Sequence, residues 1–168
     1  ALPISCLGEK TIVLELPKLK QDTWQLEFSI NILAHEISHI LFDERNGRNL
    51  IEKSLKKFHI PKIIKHINFS PILLINEAVI ESFLPYGYLA QKHSDFRLAF
   101  LFLENLDKVS KTLHDFKKGA AVNYYNQLNR YFLWQLYPLA VIYGRQKKKI
   151  DQFYVDQTVL ILKNLIKK

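Results

Sequence analysis

Apolar residues recur along most of the chain at spacings of three and four, the period of helices that bury one face, so the pattern predicts a mainly helical fold. The exception lies near the start. "TIVLEL", residues 11 to 16, is rich in β-forming side chains and ends at Pro17, which suits a short strand near a sheet edge. After the turn "PKLKQ", Asp22 stands as an N-cap with Gln25 three positions on, a capping-box pattern opening a helix that runs through Leu41 and Phe42. "RNG" should close it, with Gly47 supplying a left-handed cap.

Arg48 to Phe58 reads as a second, basic helix, broken by "HIPK" at 59 to 62. Ser70 and Pro71 suit the N-cap and first residue of a third helix, "ILLINEAVIESFL", which Pro85 and Gly87 end or kink. A further helix can run from Ser94 or Asp95 to Lys118, and another from about Ala120 to Tyr143, before Gly144. "GRQKKK" is then a loop, and residues 151 to 167 form a final amphipathic helix. With no internal repeat or low-complexity linker, the 168 residues are expected to make one domain, 1–168. Its class is mainly α (α+β), with a short N-terminal β element.

Composition narrows the chemistry. The formal charge of +8 comes from 24 Lys and Arg against 16 Asp and Glu. The basic residues fall in groups: Lys53, Lys56, Lys57, Lys62 and Lys65; Lys117 and Lys118; Arg145 to Lys149; and the C-terminus. Solvated helix faces account for such groups, and no helix-turn-helix, zinc-knuckle or aromatic RNA-binding signature accompanies them, so no nucleic-acid partner is specified. Cys6 is the only cysteine, which excludes an intramolecular disulfide and a thiolate zinc cluster. Any metal site must therefore use His and carboxylates. The apolar stretches 96 to 106 and 131 to 143 are interrupted by charge or fall short of the roughly 20 residues that cross a bilayer, so no transmembrane segment is expected. A chain without Met that starts at Ala1 is expected to be a trimmed form, with a secreted or envelope location one explanation. The aromatic run "YYNQLNRYFLWQLY", 124 to 137, has the spacing of a core helix. His59, His66, His93 and His114 suit surface or packing roles.

"LAHEISHILFD", residues 33 to 43, interrupts an apolar helix with polar groups. His35 and His39 are four apart and project from one face, with ring nitrogens able to converge on one ion. Glu36 is offset enough to miss that ion yet stay beside a water bound to it. A chance H-E-x-x-H in such a chain has a probability of roughly 1 in 100, so the motif needs a third ligand to carry weight. "INEAVIESF", residues 75 to 83, offers one: Glu77 and Glu81 lie one turn apart on a shared face, so one can bind the ion while the other holds a histidine. Burying His35, Glu36, His39, Glu77 and Glu81 among apolar helices without a neutralising cation would cost several kcal/mol.

"HEISHILFD" together with "NEAVIES" resembles the gluzincin zinc metallopeptidases, whose thermolysin-like members pair H-E-x-x-H with a downstream N-E-x-x-x-D/E on a second helix. The resemblance implies a zincin-like helical domain in which His35, His39 and Glu77 bind Zn2+ and Glu36 is the general base. It implies that Glu81 orients the first histidine, and Asp43 falls where thermolysin-like enzymes carry an aspartate. It also implies an oxyanion donor some 60 to 70 residues past the third ligand, where Tyr137 and Tyr143 stand; spacing favours Tyr143. "TIVLEL" could be the edge that pairs with an extended peptide or protein substrate. The sequence departs from the family in separating His39 from Glu77 by 38 positions, about twice the usual distance, with a basic insertion over residues 45 to 70. It also places Glu at 81 where thermolysin has Asp. From the other functional class, a catalytically inactive, zinc-stabilised domain that binds a partner through its basic surface accommodates the same residues. Nothing in the pattern fixes the oligomeric state.

Overall fold

The computed structural model describes residues 4–6, 12–14, 23–62, 70–93 and 121–166, and these are mainly helical. Two three-residue strands, β1 (Ile4–Cys6) and β2 (Ile12–Leu14), pair antiparallel with Ser5 opposite Val13. The helices are α1 (Thr23–Glu44), α2 (Gly47–Lys57), α3 (Pro71–Glu81), α4 (Tyr88–His93), α5 (Ala121–Arg145) and α6 (Gln152–Ile166). The helix expected between Ser94 and Lys118 lies outside the described residues.

The short helix α3 is the hub. It packs against α1, α2, α5 and α6, while β2 lies against α1 and α4 against α5. Leu74, Ile75, Ala78 and Val79 follow the helical period on α3 and are all fully buried, meeting Ile51 of α2, Leu128 and Phe132 of α5, and Val155 and Val159 of α6 in one core. Pro71 stands in the first turn, where its missing N–H costs nothing, and Ser70 precedes it in extended conformation. Asn76 and Glu77, on the remaining arc of α3, face α1 and are only partly covered.

Three boundaries differ from the expectation, each for a local reason. Gly47 is not the left-handed cap of α1: Asn46 holds that conformation at φ 64°, and Gly47 is the first residue of α2. Asn tolerates left-handed backbone, whereas a Cβ at Gly47 would sit 2.5 Å from the ring of Phe42. The helix α3 stops at Glu81, not near Leu84, and tightens through Phe83 N–H to Ile80 O at 2.9 Å before Pro85, which has no N–H to continue it. The helix α5 continues through Pro138 and Gly144 to Arg145; at Gly144 any Cβ would overlap the ring of Tyr88, so glycine there lets α4 pack against α5.

One polar knot joins the first half of the chain to the last helix. Asp156 of α6 accepts from Ser54 Oγ at 2.5 Å and from Lys57 Nζ at 2.6 Å, both on α2, and from Gln152 Nε2 at 3.1 Å. Burial pushes the Asp156 carboxyl up, but these donors outweigh it and hold the group below its ordinary range. The α2–α6 contact is thereby fixed in register, and with it the position of α3 between them.

Candidate metal centre

The periodicity of α1 places His35 and His39 one turn apart with their rings edge to face, centroids 4.5 Å apart and planes at 85°. Their Nε2 atoms lie 2.9 Å from each other. From α3, Glu77 reaches across the helix interface and offers one oxygen to each ring: Oε2 is 3.4 Å from His35 Nε2, and Oε1 is 3.5 Å from His39 Nε2. Among the described residues this is the group of His, Cys, Asp and Glu side chains arranged to hold a metal ion.

The outer nitrogens decide what the inner ones can do. His35 Nδ1 donates to the carbonyl of Leu84 at 2.9 Å, and His39 Nδ1 donates to Asn76 Oδ1 at 3.0 Å. A carbonyl only accepts, so each neutral ring carries its proton on Nδ1 and presents a bare lone pair at Nε2. Two lone pairs and a carboxylate then converge on one point. Such a point is repulsive without a positive charge, which a proton or a metal ion can supply.

With protons alone, the same convergence appears as a linked titration. Burial lowers the pKa of His35 and of His39, but the hydrogen bond to Glu77 and its charge outweigh that effect and raise both. Burial pushes the Glu77 carboxyl up, and the two imidazoles overcome it, drawing it down to about 2. The donor set also fits zinc. A tetrahedral centre with bonds of about 2.05 Å has donor-to-donor edges of about 3.3 Å. The two nitrogen–oxygen edges, 3.4 and 3.5 Å, lie close to that value, and the nitrogen pair at 2.9 Å would need to open slightly. Two imidazoles and one carboxylate, each imidazole held by its far nitrogen, is a borderline-soft donor set suited to that ion.

Glu36 follows His35 on α1 and is half-buried, and its charge acts on His39. Among the described residues its carboxylate makes no ion pair.

Other expected positions fall elsewhere. Glu81 does not hold His35. Because α3 ends at Glu81 and the chain then turns toward Pro85, it is the Leu84 carbonyl that comes beneath the imidazole, and Glu81 instead accepts from Asn129 Nδ2 of α5 at 3.1 Å. Burial, reinforced by the charge of Glu77, pushes the Glu81 carboxyl up to about 8. Asn129 Oδ1, on the same amide, is a buried acceptor with no hydrogen-bond partner. Asp43 is exposed at the end of α1, where its backbone carbonyl takes the N–H of Asn46; the outer nitrogen of His39 belongs to Asn76.

Tyr143 is buried at the far end of α5, donating to Asp151 Oδ1 at 2.7 Å and accepting from Lys148 Nζ at 3.2 Å, so its hydroxyl is committed away from the triad. Tyr137 is half-buried and senses the charges of Tyr88 and Arg145. The tyrosine hydroxyl electrostatically close to Glu81 is Tyr86, in the turn after Leu84; burial raises its pKa first, then the charge of Glu81, with Arg130 opposing. Leu84, Tyr86 and Asn129 belong to no motif read in the sequence, and Asn76, which opens "NEAVIES", was given no role of its own. Asn76 alone had a visible signal, an amide beside Glu77 on the helix that faces the histidines.

No protein-family profile, curated protein or solved structure matches the chain.

Two outcomes follow from this geometry. Asn76→Ala frees the outer nitrogen of His39, and zinc affinity measured by competition with a chromophoric chelator should fall about 10- to 100-fold, with the fold intact by circular dichroism. In chelator-treated protein, Glu81 keeps a proton that the unfolded chain releases above its ordinary pKa. Its contribution to stability is therefore full at acid pH and declines as pH rises from about 4.5 through about 8. His35 and His39, also raised, act with the same sign, so the difference between wild type and Glu81→Gln isolates Glu81. Urea unfolding at pH 5 to 9 should show the variant gaining on wild type as pH rises; parallel curves would contradict this.

Proposed function

We propose that this protein is a zinc-dependent metallopeptidase of zincin-like fold, in which His35, His39 and Glu77 hold the ion and Glu36 is the general base. The observation that carries this reading is the convergence of donors: both outer nitrogens are spent on Leu84 and Asn76, so both inner nitrogens turn with Glu77 toward one shared positive charge, which a zinc ion would supply. The resemblance of "HEISHILFD" and "NEAVIES" to the gluzincins supports it from the sequence side.

Zinc held by His35, His39 and Glu77 would supply a Lewis acid for a carbonyl and for the activation of water. Glu36, one position after a ligand histidine and free of ion pairs among the described residues, accepts the proton of the attacking water and returns it to the leaving amine. Leu84 and Asn76 keep the two imidazoles oriented, so that neither ring must reorganise during the reaction. The short β1–β2 pair, with β2 against α1, offers an edge to which an extended peptide can hydrogen-bond.

Glu36→Gln preserves size while removing the base. The variant should retain zinc at the wild-type level, by elemental analysis, and lose peptide hydrolysis by about 10²- to 10⁴-fold. Unchanged turnover in a zinc-loaded variant would remove Glu36 from the mechanism.

A further inference from the structure

The turn between α5 and α6 combines features that the metal site does not use. Ile142 and Phe153, on either side of it, are 50% and 54% exposed, well above what a packed aliphatic or aromatic side chain retains. Between them Arg145, Lys147, Lys148 and Lys149 all project into solvent. Asp151 is the single acid from 142 to 153, and it is already engaged, accepting from Tyr143 Oη at 2.7 Å and pairing with Lys148 Nζ at 3.2 Å. Among the described residues Arg145, Lys147 and Lys149 make no ion pair, so their charge is not offset there.

The shape of this tip is set in advance. Lys148 N–H closes onto Tyr143 O at 2.9 Å, Lys147 adopts a left-handed φ of 52°, and the Lys148 ammonium lies 4.5 Å over the buried Tyr143 ring. Ile142 and Arg145 are three apart and share one face of α5, so an apolar and a cationic group are presented side by side. A surface that is both apolar and cationic matches the boundary layer of a membrane, where side chains such as Ile and Phe enter the acyl edge while Lys and Arg remain among the headgroups.

We propose that the α5–α6 turn is a docking tip for an anionic lipid bilayer. No described helix is long and apolar enough to cross a membrane. Nucleic-acid phosphates would satisfy the cations equally well but would leave Ile142 and Phe153 in water, which is why the bilayer is the better match. Asn129, beside Glu81, lies 16 residues before Arg145 on α5. At 1.5 Å per residue the tip lies about 24 Å along the helix from that neighbour of the candidate metal centre. The docking itself does not depend on the metal reading.

Co-sedimentation of the full chain with vesicles tests this. One set is pure phosphatidylcholine and the other contains about one third phosphatidylglycerol, at about 0.1 M salt. Binding to the anionic vesicles should exceed binding to the neutral ones by on the order of 100-fold, the effect of three juxtamembrane cations. Lys147→Glu with Lys149→Glu, and separately Ile142→Ser with Phe153→Ser, should each weaken it at least about tenfold without changing zinc content or helicity. Equal binding to neutral vesicles, an unchanged second double variant, or preferential binding to duplex DNA added as competitor would overturn the proposal.

Discussion

Two ring nitrogens held 2.9 Å apart, with a carboxylate closing the third side, need a positive charge among them, a proton or a metal ion, and the groups around them hold that arrangement in place. The two histidines come from one helix, but the groups that fix their protons come from α3 and the turn that follows it. Both the third donor, Glu77, and the two orienting acceptors thus depend on where α3 sits. That helix is in turn wedged between α2, α5 and α6 by a fully buried face, and the Asp156 knot fixes α2 against α6. Core packing and site geometry are therefore one problem: a shift of α3 along its axis would change four contacts to the imidazoles at once.

The charges around the triad are graded by burial. Glu77 is strongly anionic because two imidazoles face it, whereas Glu81, one turn further on, favours its proton because burial and the neighbouring charge both oppose ionisation. Two carboxylates on one face of a short helix thus take opposite states. The consequence is a centre with a single anionic donor and neutral orienting groups, Leu84 and Asn76. On the proposed reading, a zinc ion held there would keep a net positive charge.

The proximity of His35, His39 and Glu77 was legible because it rests on side chains at helical spacing and on two helices whose apolar faces must meet. The helix ends were less so, since the choice between Asn46 and Gly47 for the left-handed position turned on the ring of Phe42. The holder of His35 was invisible for a deeper reason: every residue has a carbonyl, and only the early end of α3 before Pro85 brings that of Leu84 under the ring. Spacing alone also misplaced Tyr143, because a distance counted along the chain says nothing about which end of α5 approaches the triad. Glu81 stood on the expected face, but its partner Asn129 lies 48 positions away on a helix whose register only packing defines.

X-ray absorption at the zinc edge, on protein loaded with one equivalent of zinc and compared with Glu77→Ala, tests the central claim most directly. The account predicts one tightly bound zinc per chain with two imidazole nitrogens at about 2.0 Å and oxygen donors completing the shell, and loss of tight binding in the variant. Failure of the wild-type protein to take up zinc, or a spectrum without two imidazoles, would contradict it.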